Sequence, residues 1–139
     1  MTDLRVLIVD DQEIYRSALT GLLEIVGGFD VVAEASSGEE AVAIATGMPL
    51  DLVFMDLRLP GLDGVTATSA IRAMGDPPEV VVISTDAEAV RFDEVCRSGA
   101  RAAVSKEQLD PAWLDQLRAE VRSARPVRST RPPQSTGRG

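Results

Sequence analysis

The chain has 139 residues, room for one domain, and 45 % of them are hydrophobic, ample for a packed core. Its formal charge of −8 hides an asymmetry: residues 125–139 hold four arginines and no acid, so the body, 1–124, carries 10 basic against 22 acidic residues. A body that acidic repels nucleic acid and anionic lipid and could attract a divalent cation or a basic partner, while a single cysteine, Cys96, excludes an internal disulfide and suits a reducing cytoplasm.

The start, MTDLRVLIVDD, meets an acid at once and has only a short apolar run, so it reads as neither a signal peptide nor a membrane span. Leu4 to Val9 is instead a strand, ending on Asp10-Asp11. Gln12 to Val26 has apolar residues at Ile14, Ala18, Leu22, Ile25 and Val26, with Leu19 and Leu23 beside them, which is helical spacing. Gly27-Gly28 stops it, and Val31 to Ala35 is a second strand. Ser36 to Glu40 opens a second helix, Glu39 to about Thr46, with Ala41, Ile44 and Ala45 inward. Residues 51–55 form a short buried strand that delivers Asp56 to the loop Leu59-Pro60-Gly61-Leu62-Asp63-Gly64.

Gly64 to Met74 reads as a third helix, and Asp76-Pro77-Pro78 as a break. Glu79 to Ile83 is the fourth strand, followed by Ser84-Thr85. Asp86 to Ser98 is the fourth helix, closed by Gly99. Ala102 to Val104 is a short fifth strand that leads to Ser105-Lys106. Asp110 and Pro111 then cap and start a fifth helix reaching about Ala124, with Leu114, Leu117 and Val121 on one face. Trp113 and Cys96 are read as helix packing residues. The tail RPVRSTRPPQSTGRG lacks apolar periodicity and reads as a linker or disordered segment, against a weak contact with nucleic acid or an acidic partner.

Strand and helix thus alternate five times. Such connections are right-handed and give a parallel sheet covered on both faces. The expected architecture is an α/β, flavodoxin-like, doubly wound five-stranded sheet in the order 2-1-3-4-5. In that order the carboxyl ends of strands 1, 3, 4 and 5 bring Asp10-Asp11, Asp56, Ser84 and Lys106 towards one place. A slip of one residue would exchange Ser84 with Thr85. Three crowded carboxylates repel unless a cation sits among them, and hard oxygens suit Mg²⁺. No glycine-rich phosphate cradle follows strand 1, which argues against a nucleotide or flavin phosphate there. A carboxylate can attack phosphorus, a metal and an ammonium can offset the charge, and a hydroxyl can bond the phosphoryl group once it is attached.

These residues, in this order, resemble the receiver domain of bacterial two-component response regulators over about 1–124. DDQEIYRSALTGLLE and the Lys106-Glu107 step are most similar to the NarL/FixJ-type subfamily. The resemblance implies that Asp56 is the phosphoacceptor, with Lys106 and Ser84 assisting. It implies that Asp10, Asp11, Asp56 and the backbone carbonyl of Arg58 hold Mg²⁺, Asp10 directly or through water. It also implies a sensor histidine kinase or histidine phosphotransfer protein as donor, and a homodimer through the fourth helix, fifth strand and fifth helix. The domain would catalyse at most its own phosphorylation and hydrolysis, without a turnover substrate.

Two departures bear on output. The family's usual switch aromatic is replaced by Ala103, which favours a second reading: a receiver-fold module that binds a partner constitutively. The helix-turn-helix domain usual in the subfamily does not follow Ala124, so the chain is either a stand-alone receiver or a fragment. A free-standing phosphatase is disfavoured because Arg58, not an acid, stands two residues beyond Asp56. Arg58 and Asp86 would flank the site and restrict attacking water.

Overall fold

The computed structural model describes residues 3–84 and 92–124. Strands and helices alternate as β1 Leu4–Val9, α1 Glu13–Val26, β2 Phe29–Ala35, α2 Gly38–Gly47, β3 Leu52–Asp56, α3 Gly64–Arg72, β4 Glu79–Ser84, α4 Phe92–Arg97, β5 Ala102–Ser105 and α5 Pro111–Ala124. A 3₁₀ turn, Lys106–Gln108, separates β5 from α5. Every strand pairing is parallel, and the order is β2-β1-β3-β4-β5, the doubly wound order expected. No helix is long and apolar enough to cross a membrane among the described residues.

Successive strand residues point to opposite faces, so a strand buried on both sides reads as an unbroken apolar run. β1 shows this directly. Leu4, Val6 and Ile8 join Phe54, Ile83 and Val104 beneath α1 and α5. Leu7 and Val9 join Val53, Met55 and Val82 beneath α2, α3 and α4. Leu114, Leu117 and Val121 of α5 are buried as expected, and so is Ala41 of α2.

The boundaries follow from caps. The Ser37 side chain accepts from the Glu40 N–H at 3.1 Å and starts α2. Asp63 accepts from the Thr66 N–H at 2.9 Å and starts α3. Asp110 accepts from the Trp113 N–H at 2.8 Å, ahead of Pro111 at the first helical position. Gly99 takes φ +98°, the left-handed conformation that ends α4.

Several expectations need correction. In α1 the buried residues are Leu19 and Leu23, flanked by Tyr15, Leu22 and Val26. Ala18 is exposed, and Ile14 and Ile25 are 86 % and 80 % exposed. The helix is apolar over more than half its circumference, so spacing alone does not select the stripe that meets the sheet. β2 begins two residues earlier, at Phe29, because Phe29 is buried and pairs with Leu4. α3 stops at Arg72, not Met74. Cys96 is exposed rather than packed, whereas Trp113 lies against the core. The expected helical residues 86–91 and the tail 125–139 lie outside the described residues.

One long-range tie joins the last helix to the first. The Arg118 guanidinium donates to the carbonyl of Val26 at 3.3 Å, to the carbonyl of Gly27, and to the Asp115 carboxylate. Carbonyls at a helix end have no partner within the helix. Arg118→Ala is expected to lower stability by about 2 kcal/mol, the range for hydrogen bonds from a charged donor. Urea denaturation checks this, and an unchanged midpoint would show the tie to be idle.

Candidate functional site

The carboxyl ends of β1 and β3 lie side by side, with Val9 paired to Met55. The residues that follow must leave the sheet at the same rim. Asp10 is only 1 % exposed, Asp11 is exposed, and Asp56, the last residue of β3, is half-buried. Carboxylate oxygens of the three lie within 4.8 Å of one another. A cleft of about 260 Å³ is lined by Asp11, Gln12, Asp56, Leu57, Arg58, Ser84 and Lys106. Ser84 ends β4 and is paired in register with Ser105, directly before Lys106. Every site residue expected from the sequence within the described range is therefore at this rim. Asp86 and Thr85 lie outside that range.

Local bonds hold the acids in place. Asp10 Oδ1 accepts from the Gln12 N–H at 2.8 Å, and Asp56 Oδ1 from the Arg58 N–H at 3.1 Å. Arg16 donates to the Asp10 carbonyl at 2.6 Å and pairs with Glu34 at 2.8 Å. The Glu39 carboxylate accepts from the Leu62 N–H at 3.2 Å, tethering the loop after β3 to α2.

The electrostatics reflect the crowding. Burial, then the neighbouring Asp10 charge, raises the Asp56 carboxyl from an ordinary 3.8 to about 6, against the opposing pull of the Arg58 N–H and Lys106. Lys106 Nζ lies 3.5 Å from Asp10 Oδ2. That oxygen is buried and makes no hydrogen bond. Three clustered carboxylates with one ion-paired ammonium leave an excess of negative charge on hard oxygens, which fits a divalent cation.

The sequence reading missed Tyr15, Arg16 and the 3₁₀ turn. Tyr15 presents its ring to Lys106, with Nζ 4.1 Å from the ring centroid. Both α1 residues fall in the first turn of a helix that starts at the site. That position was the available signal, because a first-turn side chain lies close to the strand ends. The turn is set by Gln108, whose side chain accepts from the Ser105 N–H at 2.7 Å.

Residues 6–119 match the family model of the response regulator receiver domain. The chain belongs to that family. This receiver domain is 41 % identical over 105 residues to the two-component response regulator ORR41 of Oryza sativa, covering 74 % of this chain and 83 % of that one. It is 32 % identical over 116 residues to the transcriptional regulatory protein LiaR of Bacillus subtilis, covering 84 % and 55 %. The chain spans about half the length of the curated bacterial response regulators it matches. Among solved structures, the signal receiver domain of the response regulator NarL from Mycobacterium tuberculosis superposes with a TM-score of 0.80 at 24 % identity, over 90 % of this chain and all of that one. The receiver domain of the sensor histidine kinase PA1611 from Pseudomonas aeruginosa, solved with magnesium in its active-site cleft, gives 0.74 at 24 % over 86 % and 97 %. The flavodoxin-like fold and the NarL/FixJ-type resemblance are both borne out. Receiver domains are signalling modules of two-component systems rather than enzymes with a turnover substrate.

Proposed function

We propose that this receiver domain accepts a phosphoryl group from a phosphohistidine onto Asp56, in the presence of Mg²⁺, and so switches its association with a partner. The observation that carries the reading is the cleft itself. Asp11 and Asp56 line it together with Ser84 and the sole lysine, Lys106, and the buried Asp10 brings a third carboxylate to within 4.8 Å of theirs.

A carboxylate oxygen of Asp56 attacks phosphorus. The bond from phosphorus to the donor imidazole nitrogen breaks, its electron pair stays on the imidazole, and an acyl phosphate forms. Asp56 must be ionised to attack, and a carboxyl near 6 is mostly ionised at pH 7.5. Asp10, Asp11, Asp56 and the Arg58 carbonyl are the oxygens we assign to Mg²⁺, which when bound offsets charge on the phosphoryl oxygens. Lys106 supplies a second positive charge. The Ser84 hydroxyl donates to a phosphoryl oxygen only once that group is attached, which biases its loop. The donor in this reading is a sensor histidine kinase or histidine phosphotransfer protein, met in the cytoplasm. Residues 1–124 form the domain, and 125–139 a linker.

The test is incubation with acetyl phosphate and Mg²⁺ followed by intact mass measurement. The expected result is a gain of one phosphoryl group that Asp56→Asn abolishes. No gain in the native chain, or an undiminished gain in Asp56→Asn, overturns the reading. A second reading, constitutive partner binding, is favoured by Ala103. It sits on β5 opposite Val82, with no aromatic ring to carry movement outward. A phosphoryl gain that leaves partner affinity unchanged would select it.

A further inference from the structure

Lys106 is the only lysine in the chain. Its ammonium makes an ion pair with Asp10 at 3.5 Å and, among the described residues, with no other carboxylate, Asp56 included. A compact, strongly hydrated ammonium on a four-carbon stem tends to drift into solvent unless something holds it. Here an aromatic face does so, with Nζ 4.1 Å from the centre of the Tyr15 ring. The ring is itself fixed, because Tyr15 packs against the β1–β3–β5 core from the first turns of α1. Burial, and then the charges of Asp10, Asp56 and Glu107, push its hydroxyl up to about 12, so the ring stays neutral at working pH.

We propose that Tyr15 is a positioning residue, whose ring face keeps the Lys106 ammonium inside the cleft beside Asp10, ready to be drawn onto an anionic group formed on Asp56. The seat of the lysine is a matter of geometry; its use rests on the phosphoacceptor reading above. Arginine would not serve equally, since its planar fork would stack along the ring instead of presenting a point charge.

A chain with one lysine gives one set of lysine NMR signals, so the seat can be read without ambiguity. In the full chain labelled with ¹³C-lysine, the ε-methylene protons are expected upfield of the free-lysine position, shielded by the ring. Tyr15→Phe, which keeps the ring face, should retain that shift. Tyr15→Leu, which keeps much of the packing volume, should abolish it. A native signal at the free-lysine position, or one that Tyr15→Leu does not move, overturns the proposal.

Kinetics test the use. Phosphorylation by acetyl phosphate should slow about two- to fivefold in Tyr15→Leu, the rate equivalent of losing a cation–π contact at a partly exposed site. It should be restored in Tyr15→Phe and insensitive to Tyr15→Leu in a Lys106→Gln background. Equal slowing in Phe and Leu, or the same slowing without the lysine, overturns the positioning role. A native chain that takes up no phosphoryl group overturns the phosphoacceptor reading and the lysine's use with it, while the NMR shift still decides the seat.

Discussion

Gly64→Ala is expected to destabilise the domain by about 2–3 kcal/mol, in the upper range for overpacking a filled site, and to reduce phosphoryl uptake sharply. Gly64 is the first residue of α3 and is buried. A Cβ there would stand 2.3 Å from the Asp56 carbonyl oxygen and 2.9 Å from the Leu57 Cα. Both are backbone atoms of the segment that bears Asp56, so neither can swing aside. Gly64 also donates its N–H to the Leu57 carbonyl at 3.1 Å. Room made for the methyl group must therefore shift Asp56, the α3 start, or both. Gly21→Ala is the control. A methyl group at Gly21, inside α1, meets nothing within 4 Å, and should stabilise by about 0.5–1 kcal/mol through the lower entropy of the unfolded chain. Urea titration and acetyl phosphate labelling of both variants check this. A Gly64→Ala protein with native stability and native labelling would show that α3 packs on Asp56 less closely than described.

The metal-free domain is expected to become more stable as pH falls from 7.5 to 5. The Asp56 carboxyl is raised to about 6 in the folded state, against 3.8 when unperturbed. Above pH 6 it is ionised in both folded and unfolded chains, and the folded state bears the full cost of burying that charge beside Asp10. Between about 4 and 6 the folded protein holds a proton that the unfolded chain has released, so acidification favours folding through this window. Screening by solvent at this half-exposed site leaves a gain of about 1 kcal/mol between pH 7.5 and 5. Asp56→Asn should remove the slope and raise stability at pH 7.5. Millimolar Mg²⁺ should act in the same direction, by binding the folded state alone. Thermal denaturation over the series measures this. A slope that survives in Asp56→Asn would assign the effect to another group.

Much of this was readable beforehand because each strand is a short apolar run ending on a chemically distinctive residue. Asp10, Asp56, Ser84 and Lys106 each sit within one residue of a strand end. A parallel sheet sends all such ends to one rim, so topology converted sequence order into proximity. Reading α1 was harder. Ile14 and Leu19 look equivalent in a pattern of apolar spacing, and only the packing of α5 and β1 decides which one is buried. Tyr15 escaped for a related reason. Its partner lies 91 positions away, and no local rule links an aromatic residue on the first helix to a cation after the fifth strand.

Asp56 stands where two mechanical regimes meet. Behind it, β3 is laced on both sides into ladders with β1 and β4, and the Leu57 N–H still bonds the Ile83 carbonyl. Ahead of it, the chain turns through Pro60 and Gly61, tethered sideways to Glu39. The Asp56 carboxylate thus has strand ladders behind it and a turn held by a side-chain bond ahead of it. On the proposed function, a group attached to that carboxylate is expected to be read at the rim of loops and not through the sheet beneath it.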